Sequence, residues 1–313
     1  MAIITKGGAL SHSPLIAAEP FERDKPAIAA LSQAIAGLGR EILAERPDVI
    51  VFIAQDHLRS LFYDLMPPVV IGTGKVSGWG DWATRRGPMP VDEQLARHVH
   101  RSLLAQDFDA ACSYDLLVDH SVGQPLDMLG IPEELPVLPV LINCGAPPLP
   151  SVKRCFDLGS ALREALTSFG GERRIAVVAS GGLSHSPPSA DVEATEPAAR
   201  EVVENLIHGR AQVAEREAAR QARLVALVKE GAFLGTIDEA WDERMLSAFT
   251  SNGTRQLAHG PASLSPLHGG GCGGEEVRTW VAAGAVYEGR PARLLYYAAI
   301  DSLITGMGVI SLG

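Results

Sequence analysis

Short, almost entirely apolar runs alternate along this chain with longer stretches of helical periodicity, and this alternation constrains the fold more than any other feature. A strand that is apolar on both faces must be covered on both sides, and helices between the runs can supply that cover. The pattern therefore predicts an α/β fold with a central, mostly buried sheet flanked by helices. The predicted strands are residues 2–5, 49–54, 68–72, 110–114, 136–142 and 175–179, and the predicted helices are residues 26–44, 92–104, 157–168 and 275–286.

Length and composition are those of a globular chain. Its 313 residues can build one large domain or two fused halves. Hydrophobic residues make up 46% and charged residues 20%, which excludes a disordered or fibrous protein. One internal echo is compatible with two related halves in one domain, or with coincidence: GALSHSP at 8–14 resembles GGLSHSP at 181–187, and each follows a predicted strand.

Charge and hydropathy exclude several classes of partner. The chain has 27 Lys and Arg against 37 Asp and Glu, a net charge of −10, and no basic stripe to meet a phosphate backbone, so no nucleic acid is expected. Apolar runs such as residues 49–54 and 137–142 are far shorter than the roughly 20 residues of a membrane-spanning helix. No membrane is therefore expected. The first residues, MAIITKGGALSHSP, are too short and polar for a signal peptide and predict a cytoplasmic location.

Two long polar segments lie in the second half of the chain. Residues 190–229 are rich in Ala, Glu and Arg and predict one or two exposed helices, whose charges form a solvated face or an oligomer contact. Residues 252–274 are glycine-rich and end in HGGGCGG, without the lysine of a P-loop or the GxGxxG spacing. We expect this second segment to be a mobile approach to a site or a linker.

Four of the nine histidines follow predicted strands or lie in the turns after them: His12, His57, His120 and His185. Ligands in α/β proteins gather at the carboxyl ends of strands, so four histidines in such positions point to one site. The remaining five are assigned to surface or structural roles. These are His98, His100, His208, His259 and His268.

Two histidines and one carboxylate on one face of a metal leave positions open, an arrangement suited to non-haem Fe(II) chemistry with O₂. His12 and His57 are separated by a complete strand–helix–strand unit and could supply the two imidazoles. Spacing does not choose the carboxylate, and a histidine-rich metal site or acid–base site is as far as the residues lead. The candidate carboxylates include Asp56, Asp119, Glu275 and Glu276.

Six segments resemble the class III extradiol ring-cleavage dioxygenases, the superfamily of the protocatechuate 4,5-dioxygenase catalytic subunit. They occur in the family's order over nearly the whole chain, and the ordered set is far more specific than any single segment. The resemblance implies one catalytic domain over residues 1–313. The segments are LSHSPL (10–15), AQDH with FYDLMPP (54–57 and 62–68), VDH with QPL (118–120 and 124–126), LPVLPVLIN (135–143), SGGLSHSPP (180–188) and EVRTWVAA (276–283).

The resemblance also implies a set of metal ligands for Fe(II). They are His12, His57 and Glu276, the last matched by its place at the start of E-x-x-x-W before a predicted helix. The adjacent Glu275 leaves an ambiguity of one residue, and a carboxylate at this position is also favoured simply by the positive end of a helix.

The family's acid–base pair corresponds to His120 of VDH and His185 of GGLSH. Asp119 is matched as a neighbour that could orient an imidazole through a hydrogen bond, and Pro187 as a neighbour on the substrate side. Arg59 is a candidate for binding a substrate carboxylate. The chain departs from the family pattern at Leu58-Arg59 and around residues 268–274, so the substrate's side chain is less constrained than the reaction.

The function implied is extradiol cleavage of a catechol by Fe(II) and O₂, in a homo-oligomer. A positioned histidine accepts a proton from the catechol, and a second histidine can donate one later. The expected substrate is a 3-substituted catechol such as 2,3-dihydroxyphenylpropionate, with protocatechuate as the alternative. A zinc hydrolase with the same ligands and a non-catalytic binding protein are the competing functions.

Overall fold

A computed structural model describes residues 2–187, 192–193, 196, 199–231, 236–260 and 269–313. The helices within this part of the chain are α1 (Lys25–Ala44), α2 (Glu93–Ala105), α3 (His120–Met128), α4 (Val152–Thr167), α5 (Arg200–His208), α6 (Val213–Lys229), α7 (Glu239–Thr250), α8 (Thr254–His259) and α9 (Val277–Val286). The strands are β1 (Ile3–Ile4), β2 (Gly7–Leu10), β3 (Val49–Ala54), β4 (Val69–Trp79), β5 (Arg86–Met89), β6 (Ala111–Val118), β7 (Val137–Ile142), β8 (Arg174–Ser180), β9 (Ala292–Ile300) and β10 (Thr305–Leu312).

The predicted α/β class is confirmed, and each predicted strand and helix overlaps an observed one. One or two exposed helices are expected over residues 190–229, and the structure has two there, α5 and α6. The loop expected over residues 252–274 is wrong in part, because α8 lies inside it and a 3-10 turn occupies Gly273–Glu276. His268 falls outside the described residues. Helix α8 was not predicted because its sequence is polar and it buries only Thr254 and Leu257.

The described strands form one ten-stranded sheet with the order β5-β4-β7-β3-β8-β2-β10-β9, with β1 paired to β8 and β6 to β4. Its centre is parallel: β7, β3, β8 and β2 run in one direction. The flanks are antiparallel, since β4 pairs with β7 in the opposite sense and β10 does so with β2.

Burial on both faces of the sheet is clearest in β3, whose six residues are all inaccessible to solvent. Alternate side chains of a strand point to opposite faces. Val49, Val51 and Ile53 accordingly join the core beneath α2, α4 and α9, whereas Ile50 and Phe52 join the core beneath α1 and α3. The fully apolar runs in the sequence reflect this two-sided cover.

Among the residues that the structure describes, Glu22–Ala44 is the one segment long and apolar enough to cross a membrane by length and composition, and most of it is helix α1. Leu31, Ile35 and Leu38 recur at helical spacing and are fully buried against the sheet. The buried apolar residues of this segment therefore form a core-facing stripe of a helix packed within this fold.

The echoed LSHSP segments leave the sheet side by side, because β2 and β8 are parallel neighbours. The alignment of the two segments by sequence differs from their pairing in the sheet. The sequence echo aligns Leu10 with Leu183, whereas the sheet pairs Leu10 with Ser180. The two segments therefore follow different paths beyond their strands.

Helices α1 and α3 approach closely at Gly39, where an added Cβ would lie 1.8 Å from the carbonyl oxygen of Leu129. A Cβ on Gly37 of the same helix would meet only the end of the Arg40 side chain, at 3.7 Å. Gly39 thus sets the distance between α1 and the helix that begins with His120.

We expect Gly39→Ala to lower the free energy of unfolding by about 1–3 kcal/mol, because the added methyl group forces the two helices apart. Gly37→Ala is the matched control and should be neutral or stabilising by up to about 1 kcal/mol, the normal gain for alanine over glycine in a helix. Urea unfolding of both variants measures this. Equal midpoints for the two would contradict the close approach.

Candidate active site

Three of the four strand-end histidines are brought together by the parallel centre of the sheet. Strand β8 pairs in parallel with both β2 and β3, so their carboxyl ends lie at one edge. His12 follows β2, His57 follows β3 and His185 follows β8. This is the convergence that the strand-end pattern predicts.

His120 reaches the same place by another route. It follows β6, which pairs with the antiparallel flanking strand β4, and it is the first residue of α3. Its ring stacks on that of His57 with centroids 4.3 Å apart, and it lies 5.6 Å from the ring of His12. One nitrogen from each of His12, His57 and His120 lies within 4.8 Å of the others, so these three imidazoles could hold a metal ion.

Each of the four imidazoles has a hydrogen-bonding partner at Nδ1, which directs Nε2 toward the site; in His57 the Nε2 atom also lies 2.8 Å from Gln55 Nε2. Such partners fix the orientation and tautomer of a ligating or acid–base histidine. The Nδ1 contacts are His12 to Ser180 Oγ at 2.8 Å, His57 to Asp119 Oδ2 at 3.0 Å, His120 to Asp81 Oδ2 at 2.5 Å and His185 to the Leu183 carbonyl at 2.8 Å.

The carboxylate of Glu276 faces two of these rings. Its Oε1 lies 3.6 Å from His57 Nε2 and 3.5 Å from His185 Nε2, and its Oε2 accepts a hydrogen bond from the Gly182 amide at 2.5 Å. Its neighbour Glu275 instead forms a buried ion pair with Arg278. The structure thus distinguishes Glu276 from Glu275, two candidates that the sequence alone does not tell apart.

The other two candidate carboxylates hold the backbone in place. Asp119 accepts hydrogen bonds from the amide and Nδ1 of His57 through Oδ2, and caps α3 by accepting from the Ser121 amide through Oδ1. Asp56 accepts from the amides of Ser60 and Leu61 in the turn after His57. Both side chains organise the loop that presents His57.

Burial and charge shift the protonation of the site strongly. Burial lowers the pKa of His12 to about 3, so this imidazole is neutral. Burial also lowers the pKa of His57, but Asp119 and Glu276 outweigh it and raise that pKa to about 10. Burial raises the pKa of Glu276, but hydrogen bonds to His185 and His57 more than compensate and hold it well below its ordinary value. The cluster therefore keeps an anionic carboxylate beside its imidazoles.

Arg59 lies behind this cluster with its charge already engaged. It is 5% exposed, its Nη2 lies 2.5 Å from Glu217 Oε1 on α6, and its Nε lies 3.5 Å from Asp81 Oδ2. Asp81 also contacts His120. Glu217 on α6 is therefore linked to His120 through Arg59 and Asp81. Sequence reasoning missed Asp81, Ser180 and Glu217, because nothing in their spacing marks them as partners of histidines far away in the chain.

A cavity of about 620 Å³ opens above the cluster. Its walls include the predicted residues His12, His57, His120, His185, Glu276, Arg59 and Pro187. Leucines of α5 and α6 also line the cavity, among them Leu206, Leu224 and Leu227. A small ligand with an aromatic ring and an aliphatic chain could therefore pack against apolar side chains. Among the described residues, none of the five histidines assigned to other roles lines this cavity.

A second buried carboxylate holds the turn that carries His185. Asp242 is fully buried and accepts hydrogen bonds from the Ser184 amide at 2.7 Å, the Ser184 hydroxyl at 2.9 Å and the Tyr297 hydroxyl at 2.8 Å. Because Ser184 directly precedes His185, the hydrogen bonds to Asp242 on α7 fix the position of the His185 imidazole.

Residues 7–308 match the family model described as the catalytic LigB subunit of aromatic ring-opening dioxygenase. The chain therefore belongs to this family, and it is an extradiol dioxygenase, an enzyme that opens an aromatic ring beside two neighbouring hydroxyl groups. The resemblance of the six sequence segments to this family is confirmed.

Curated relatives cover almost the full length. The chain is 34% identical over 310 residues to the 2,3-dihydroxyphenylpropionate/2,3-dihydroxicinnamic acid 1,2-dioxygenase of Photorhabdus laumondii, with 96% of this chain and 95% of that protein covered. It is 37% identical to the protein of the same name from Paraburkholderia xenovorans, again with 96% and 95% covered. These are relatives of the chain at moderate identity.

Among solved structures, the chain is similar to that of an uncharacterized protein from Escherichia coli K12. The TM-score is 0.53 at 14% identity, with 98% of this chain and 99% of the other covered. This likeness concerns the fold alone.

We expect Asp242→Ala to lower the free energy of unfolding by about 3 kcal/mol, because the two buried donors of Ser184 and the partly buried Tyr297 hydroxyl lose their acceptor, and each unsatisfied buried donor costs roughly 1–3 kcal/mol. Glu243→Ala, one residue away and exposed, is the control and should change it by less than about 0.5 kcal/mol. Urea unfolding measures both. If the unfolding midpoint of Asp242→Ala were close to that of the control, the hydrogen bonds to Asp242 would not contribute to the stability of the fold.

Proposed function

We propose that this enzyme cleaves a 3-substituted catechol, such as 2,3-dihydroxyphenylpropionate, with Fe(II) and O₂. The observation that carries the proposal is the convergence of four imidazoles and the Glu276 carboxylate at one end of an apolar-walled cavity. The printed names of the curated relatives support the substrate class.

His12, His57 and Glu276 are the proposed iron ligands. Two imidazole nitrogens and one carboxylate oxygen form a donor set that suits Fe(II) and leaves positions open. Metal binding would displace the proton that Asp119 and Glu276 favour on His57. The residues fit such a set, since Ser180 and Asp119 engage the Nδ1 atoms of His12 and His57, so Nε2 would be the ligating atom of each. The Nε2 atom of His57 also lies 2.8 Å from Gln55 Nε2, a contact that a bound metal would replace. Bound iron supplies the place at which a catechol and O₂ meet.

The three-histidine set of His12, His57 and His120 is a second possible ligand set, because its nitrogens lie within 4.8 Å of one another. Three histidines with an open position are typical of a catalytic zinc. Two observations favour Glu276 over His120: its Oε1 faces His57 at 3.6 Å, and the buried Gly182 amide orients it.

His120 and His185 are the proposed acid–base pair. Each presents Nε2 to the site while its Nδ1 is engaged, His120 by the Asp81 carboxylate and His185 by a backbone carbonyl. One imidazole takes a proton from a catechol hydroxyl, and the other donates a proton as the ring opens. We assign His185 as the base and His120 as the acid.

Substrate binding falls to the cavity walls. Pro187 and Arg59 both line the cavity beside the donor set, Pro187 as an apolar surface and Arg59 with its charge already paired to Glu217. The cytoplasmic location and the homo-oligomer stay predictions.

We expect His12→Ala, His57→Ala and Glu276→Gln each to lose iron and ring-cleavage activity together, since removing a ligand weakens metal binding. Glu275→Gln is the matched control and should keep iron. Iron content after anaerobic reconstitution and the ring-fission absorbance of 2,3-dihydroxyphenylpropionate measure the two properties. Full iron in Glu276→Gln together with loss in Glu275→Gln would mean that the wrong carboxylate was chosen.

We expect His120→Gln and His185→Gln to keep iron but turn over roughly 10²-fold more slowly, the usual effect of losing a general acid or base. Single-turnover and steady-state rates on iron-loaded protein measure this. Near-normal turnover would assign either residue a structural role only. Loss of iron from His120→Gln would instead favour the three-histidine ligand set.

A further inference from the structure

One face of α6 forms part of the cavity wall. The α6 residues on this wall recur three and four positions apart, which places them on one side of a helix. They include Arg216, Glu217, Arg220, Arg223, Leu224 and Leu227. A segment that the composition marks as a solvated surface therefore faces the substrate cavity with both charges and leucines.

Three of the four arginines that line the cavity are already engaged. Arg59 pairs with Glu217 and Asp81. Arg220 pairs with Glu217 at 3.0 Å, and Arg216 donates to the backbone carbonyls at the end of α5, at 3.1 and 2.8 Å. The positive charge of the first two balances the buried Glu217, and the third closes a helix terminus.

Arg223 differs from these three. Within the part of the chain that the structure describes, it has no hydrogen bond and no ion pair, although it lines the same cavity. Arg223 is exposed to solvent at this wall, so its guanidinium is free to meet a ligand. A planar guanidinium can bind a carboxylate through two parallel hydrogen bonds.

The position of Arg223 along α6 suits the tail of a substrate. Glu217 touches Arg59, which is two residues from the proposed ligand His57. Arg223 lies six residues further, about 9 Å along the helix axis. A catechol bound through its hydroxyls at the donor set would direct its 3-substituent along this cavity wall, where the long side chain of Arg223 could meet it.

We propose that Arg223 binds the carboxylate of the substrate's tail and so determines the preference for an anionic 3-substituent. This inference rests on the proposed function. It assigns the recognition of the tail to α6 and leaves Arg59 with a positioning role, since the charge of Arg59 is already balanced.

The test compares 2,3-dihydroxyphenylpropionate with 3-propylcatechol, whose tail lacks the carboxylate. In Arg223→Gln the ratio of kcat/KM for the acid over the neutral catechol should fall roughly 2- to 5-fold, chiefly through KM, the scale of a charge pair that stays open to water. Arg223→Lys should restore part of the ratio. Arg101→Gln, an exposed arginine of α2 away from the cavity, should leave the ratio unchanged.

A binding measurement gives an independent readout. Calorimetry under anaerobic conditions should show a weaker Kd for 2,3-dihydroxyphenylpropionate in Arg223→Gln, with a reduced dependence of Kd on salt because one ion pair is lost. An unchanged Kd and an unchanged substrate ratio would overturn the assignment of Arg223. An equal loss for both catechols would overturn it too, since the residue would then act on the shared ring or on folding.

Failure of the underlying function gives a different result. If the iron-loaded wild-type enzyme cleaves neither 3-substituted catechol, the proposed function fails before Arg223 is tested. If the wild-type enzyme prefers protocatechuate by tenfold, about 1.4 kcal/mol in transition-state binding, the proposed substrate class fails and Arg223 loses its role with it.

Discussion

The site depends on one buried carboxylate, that of Asp119. One of its oxygens accepts two hydrogen bonds from His57, and the other caps the helix that begins with His120. An unpaired anion would be very costly at this depth, but here each oxygen has donors and two imidazoles lie close by. Asp119 thus joins the parallel centre of the sheet to the antiparallel flank and brings His120 onto the ring of His57.

The same principle organises the rest of the cluster. Glu276 is held by Gly182, Ser184 by Asp242, and Arg59 by Glu217. These contacts orient the functional groups through the fold itself, without a ligand, which is how a site keeps its geometry through a reaction. The Arg59 contact also ties α6 to the loop of His57, so the wall that faces the substrate tail is connected to the donor end of the cavity.

Sequence patterns predicted the elements whose burial is simple. The fully apolar β3 and its parallel neighbours were predictable because two-sided burial leaves no polar position in a strand. Strands β2, β9 and β10 were not predicted. Strands β2 and β10 are fully buried, but glycines interrupt their apolar residues, at Gly7 and Gly8 in β2 and at Gly306 and Gly308 in β10. Strand β9 is only partly buried and exposes Leu294, so its apolar residues do not mark a core strand. Helix α3 was missed as well, because it is short and contains Pro125.

The sequence by itself determined the α/β class and the strand-end positions of His12, His57 and His185, because the carboxyl ends of parallel strands meet at one edge of a sheet. It also marked both members of the Glu275–Glu276 pair as candidates. Only the tertiary structure distinguished the two, since one faces imidazoles and the other an arginine. Only the tertiary structure brought Asp81 to His120 and left Arg223 unpaired among the cavity arginines it describes. The physical reason is that these pairs form between residues far apart in the chain. The local periodicity of the sequence carries no information about which acidic side chain will meet which histidine or arginine.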